Sequence, residues 1–86
     1  MSNVDWESIA KAALHPLQVR LLEHAAASDE RFAPSELAAK WGVPLGNVSY
    51  HVRVLVGLKL LEPAGTKTVR GALKHYYRAS RGLLAP

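Results

Sequence analysis

Apolar residues recur at helical spacing in four successive segments of this chain, and then the period changes. Trp6, Ile9, Ala10 and Ala13 form the first stripe and predict a helix over residues 5–14. His15-Pro16 breaks it, and Pro16 suits the first turn of a second helix, where its missing N–H costs nothing. Leu17, Leu21 and Ala25, with Leu14 ahead, carry that helix to about Ala27. Ser28-Asp29-Glu30 reads as a loop. Pro34 opens a third helix on Leu37, Ala38 and Trp41, with Glu36 placed to favour its dipole. Ala33 has no side chain that can cap, so this start must find another acceptor or fray. Gly42 can take positive φ, and Pro44 forbids continuation. A fourth helix follows over residues 45–58.

At about 100° per residue, Leu45, Val48, Val52, Leu55 and Lys59 share one sector of that fourth helix. All but Lys59 are expected to be buried. Gly46, Asn47, Tyr50, Arg53, Val54 and Gly57 fall opposite, with Ser49 at the border. The outward face therefore carries an amide, a phenol and a guanidinium, not the Glu and Lys pairs of an ordinary solvated helix. Such groups read base edges or hold phosphates. Gly46 leaves room for close backbone approach. His51 lies near the buried stripe, where packing and a hydrogen bond are expected of it. A short helix, a Gly-containing turn and a longer amphipathic helix make a helix-turn-helix pattern.

Past Leu58 the pattern turns to strands. Leu60 to Ala64 is a short apolar run, and Leu73 to Ala79 has the aromatic enrichment of a strand. Gly65 to Gly71 lies between them as a hairpin connection, a basic wing over residues 65–71. Lys67 and Arg70 sit at its tip, and Lys74 begins the return strand. The expected fold is mainly α with a small β-hairpin: about four helices plus a two-stranded wing, in a single domain spanning residues 1–86.

Charge sharpens this picture. Residues 1–36 hold six acids and three bases, whereas residues 37–86 hold eight bases and one acid, Glu62. Such asymmetry suggests one face made for a polyanion. Lys40, Lys67, Arg70 and Lys74 are its candidate phosphate contacts, beside Gly46, Asn47, Ser49, Tyr50 and Arg53 on the helix. The chain has no cysteine, which excludes disulfides and thiolate metal sites. It has no run of 18 apolar residues and no secretory signal pattern, so no membrane partner is expected and the cytoplasm is the default compartment.

Four stretches carry a resemblance: Ala13-Leu-His-Pro-Leu-Gln-Val-Arg-Leu-Leu22, Pro34-Ser-Glu-Leu-Ala-Ala38, Val48-Ser-Tyr-His-Val-Arg-Val-Leu55, and Val69-Arg-Gly71 with His75-Tyr-Tyr-Arg78. Together, over about residues 8–80, the chain resembles the ArsR-like winged helix-turn-helix regulators of prokaryotic transcription. The resemblance implies that Asn47, Ser49, Tyr50 and Arg53 contact DNA from the recognition helix. It implies that Lys67 and Arg70 reach phosphate or the minor groove from the wing. Metal-sensing members use cysteines or carboxylate–histidine clusters. The histidines here, His15, His24, His51 and His75, are spread over separate elements, and no metal or other cofactor is expected. Lys59 stands where a glycine commonly ends the recognition helix, so a differently shaped helix end is expected.

Sequence-specific binding of double-stranded DNA is thus the expected function, with helix 45–58 in the major groove. A protein-interaction adaptor on the same scaffold is the alternative, since fold does not fix function. No enzyme is expected: no nucleophile–base pairing is suggested, and Gly65 and Gly71 match neither nucleotide motif. A homodimer through Trp6, Ile9, Ala10, Ala13 and the C-terminal tail would supply two half-sites. The same stripe could instead pack on its own core.

Overall fold

His15 and Pro16 start the first helix as their types suggest. The structure is a computed structural model in which residues 15–81 are described. The helix expected over residues 5–14, and with it Trp6, Ile9, Ala10, Ala13 and the tail beyond Arg81, lies outside them. In helix α1 (Pro16–Ala26), Pro16 occupies the first turn and the His15 Nδ1 accepts the Leu17 N–H at 3.0 Å. Its buried face is Gln18, Leu21, Leu22 and Ala25.

Helix α2 (Pro34–Trp41) solves its capping problem from inside. Ala33 offers no acceptor, but the Glu36 carboxylate reaches back and accepts the Ala33 N–H at 3.2 Å. This is one half of a capping box. Gly42 then takes φ 66°, and the Val43 N–H closes the turn on the Ala38 carbonyl at 3.1 Å. That turn aims the chain into helix α3 (Leu45–Gly57).

Val48, Val52 and Leu55 of α3 are buried as the stripe predicts, but Leu45 is 49 % exposed. The stripe runs past the edge of the core. Leu45 is the first helical residue, a turn ahead of Val48, and its apolar side faces the cleft described below. At the other end Lys59 takes the place of a terminal glycine, but the helix end is not differently shaped as expected. Its φ is 62°, its N–H bonds Val56, and the Leu60 N–H bonds Leu55. This is a complete Schellman ending with lysine in the left-handed position. Ser80, buried, donates its hydroxyl to the Lys59 carbonyl and so holds the strained residue. Lys59→Gly should therefore raise stability by up to about 1 kcal/mol, read as a higher urea midpoint.

Strands β1 (Leu61–Val69) and β2 (Ala72–Ala79) pair antiparallel and are longer than the sequence suggests. Their connection is only Arg70-Gly71, not residues 65–71. Both residues have positive φ, 51° and 79°, as a two-residue type I′ hairpin requires. Lys67 accordingly lies in β1, opposite Lys74, rather than at the tip. Gly65 is a bulge, not a turn. Pairing runs from Pro63–Tyr77 to Thr66–His75, so β1 carries one extra residue there, and Gly65 takes φ 98°. A Cβ at Gly65 would stand 3.0 Å from the Arg31 guanidinium.

Phe32 adds a short bridge on the far side of β2, exchanging both backbone hydrogen bonds with Tyr77 at 2.8 Å. Phe32, Leu61 and the buried faces of the three helices close one core. The described residues thus hold three helices and a two-stranded hairpin, mainly α as expected, although not the expected four helices.

Candidate nucleic-acid interface

Helix α3 contains no acidic residue, and its Gly46, Asn47, Tyr50 and Arg53 are exposed. Ser49 is half-buried beside them. Tyr50 is 57 % exposed and its ring meets His51 edge-on at 5.2 Å. Ser49 and Arg53 turn toward the hairpin. There they line a cleft of about 620 Å³ together with Leu45, Ser35, Leu73 and Lys74. The cleft is the junction of three elements: the start of α2, the outer side of α3 and the distal hairpin. Lys67 and Arg70 stand exposed on the hairpin itself. Lys40, at the end of α2, is exposed but lies outside the cleft lining and faces His24.

The structure sorts the basic residues by what they already hold. Lys74 donates to Glu36 at 3.0 Å, which raises the lysine pKa and, chiefly through that hydrogen bond, lowers that of the carboxyl. Arg78 pairs with Glu62 at 2.9 Å. Arg31, counted with the acidic half by sequence position, sits 4.0 Å over the Tyr76 ring and donates to the Ala64 carbonyl on the hairpin. Arg53, Lys67, Arg70 and Lys40 have no ion pair among the described residues and remain available to a polyanion.

His51 is held behind the exposed face, as expected. The Gln18 amide donates to its Nδ1 at 2.9 Å, and the His15 ring stacks on it at 4.5 Å. A donating amide leaves Nδ1 unprotonated, so the neutral imidazole carries its proton on Nε2. Burial, and then the neighbouring His15, lower its pKa from 6.5. Burial and Lys40 lower that of His24 likewise, beneath Phe32 and Trp41. Both groups bind protons more weakly folded than unfolded, so their contribution is complete above pH 6.5 and is lost as pH falls through the folded values. Glu36 adds a second loss below 4.5. Urea midpoints are thus expected to decline on acidification from neutrality, and His51→Gln to flatten the first part of that decline.

Among the described residues no group of three or more histidines or carboxylates could hold a metal. No helix there is long and apolar enough to cross a membrane.

A short helix, a left-handed glycine turn, a longer helix free of acids and a hairpin beside it define a winged helix-turn-helix. The family described as a helix-turn-helix domain matches residues 13–64, more than half of the chain, and the chain belongs to that family. No curated protein matches it. The family makes DNA the indicated partner and transcription regulation the indicated role; it is typical of regulators that are not enzymes.

Leu45, Val69, Leu73 and Ser35 are cleft residues that the sequence pattern does not mark as site residues, and Leu45 it assigns to the core. Leu73 was legible only as a strand start. Ser35 carries no signal, because its place depends on how the hairpin comes up to the start of α2.

Proposed function

We propose that the chain is a sequence-specific binder of double-stranded DNA and a cytoplasmic transcription regulator of the ArsR-like kind, one domain over residues 1–86. Helix α3 enters the major groove, where Asn47, Ser49, Tyr50 and Arg53 meet base edges or phosphates and Gly46 lets the backbone approach. Lys67 and Arg70 grip phosphate or the minor groove from the hairpin. Lys40 adds a phosphate contact from the end of α2, and Lys74 does so only in part because Glu36 already holds it.

The carrying observation is the convergence of Ser49 and Arg53 with the hairpin on one cleft, next to a helix without a single carboxylate. Phosphates would be repelled by an acid on that helix or in the cleft lining and find none there, and the neighbouring Glu36 carboxylate is paired with Lys74. A homodimer through Trp6, Ile9, Ala10, Ala13 and the C-terminal tail would present two such helices to a two-fold site.

The test is selection of bound duplexes from a random pool at fixed salt. An enriched motif is expected, in two inverted copies for the dimer. Absence of enrichment, with no gel shift on random duplex at low salt, would refute DNA binding and favour the adaptor.

A further inference from the structure

We propose that Leu45 is a specificity residue that packs against the 5-methyl group of a thymine in the major groove. The inference rests on the DNA-binding reading above.

Leu45 is the first residue of α3, and the N-terminal residues of a recognition helix are those that reach base edges. Half of its surface is in solvent, and its neighbour Gly46 has no side chain to cover it. Five large apolar residues are exposed among the described ones, and three of them, Leu45, Val69 and Leu73, line the same cleft. Scattered exposed leucines need no explanation. Three around one cleft, between Arg53 and Lys74, do. A surface made only for phosphates gains nothing from a leucine. In the major groove the thymine methyl is the apolar group that a base pair presents.

The row along the helix supports this. Leu45, Ser49 and Arg53 are spaced four apart, so they lie along one side of α3, and all three line the cleft. The row offers a methyl-sized apolar contact, then a hydroxyl, then a guanidinium. Eight residues of helix rise about 12 Å, or about three to four base steps at about 3.4 Å. The thymine read by Leu45 therefore belongs within about four base pairs of the position whose preference depends on Arg53.

The probe is the selected duplex with each thymine replaced, one at a time, by deoxyuridine, which removes only the methyl group. Binding is followed by fluorescence anisotropy with the full chain. For the wild type, one replacement per bound protomer should weaken binding about fourfold, the worth of one buried methyl. Leu45→Ala should bind the thymine and uracil duplexes equally at that position. Leu45→Gln, similar in length and helix propensity, should also lose the discrimination, and serves if the alanine variant melts early. A wild type indifferent to every thymine methyl would overturn the role of Leu45 while leaving DNA binding intact. So would variants that keep the uracil penalty. A chain that binds no duplex at low salt would overturn the DNA reading itself, and this inference with it.

Discussion

Raising salt from about 50 to 200 mM is expected to weaken duplex binding about a hundredfold. Each phosphate neutralised contributes about 0.9 to the slope of log affinity against log salt, so four contacts give a slope near −3.6. Four is the number of candidate cations that the structure leaves unpaired: Arg53, Lys67, Arg70 and Lys40. Lys74 and Arg78 are left out because Glu36 and Glu62 hold them. Anisotropy titrations at several salt concentrations read the slope directly, and a flat response would refute a phosphate grip. Within that total the contacts differ in kind. Arg53→Ala should cost about 1–3 kcal/mol and relax sequence preference if its guanidinium meets a base edge. Lys67→Ala should weaken all duplexes alike and lower the slope by about one. Two variants with identical behaviour would undo these separate roles.

Leu55→Ala should remove about 2–5 kcal/mol of folding stability. Leu55 is fully buried, where α3 meets the rest of the core. A chain of this size has only about 5–10 kcal/mol in total, so the variant should lose a large share of its stability, visible as a much lower midpoint in urea or thermal melts. Leu45→Ala on the same helix is the control. It removes a half-exposed side chain and should barely move the melt. A large loss at Leu45 with a small one at Leu55 would mean that α3 is rotated from its described position.

The contrast between these two leucines also shows how far the amino-acid pattern reaches. Helical periodicity placed Val48, Val52 and Leu55 inside because the core spans those turns. It placed Leu45 inside as well, because a period has no knowledge of where the opposing surface stops. Gly42 was legible as a chain reversal from steric preference alone and takes positive φ, whereas Lys59 was not. Lysine resists the left-handed region, so a reshaped helix end was expected there, yet Lys59 adopts φ 62° and the usual ending forms. Gly65 was misread for the same reason: a glycine bordering Thr-Lys-Thr looks like a turn, yet it is a bulge within a strand that continues to Val69. Local preference cannot separate the two, since the difference lies in the partner strand. The Phe32–Tyr77 bridge and the Lys74–Glu36 pair join residues far apart in the chain. Neither leaves any trace in local spacing. The outward row of α3 was mostly legible, because a helix fixes side-chain direction by count. The cleft was not, because its second wall is a hairpin distant in sequence that reaches the first turn of α2 only in the folded chain.

That hairpin is stapled to the body in three places: Phe32 to Tyr77, Arg31 to Ala64 and Tyr76, and Glu36 to Lys74. It has little freedom to swing toward a partner. The gap between the helix and the hairpin is therefore a fixed calliper, and a double helix gripped by both must supply whatever bending the fit demands. Stiff and pliant base steps would then be told apart at positions that no side chain touches.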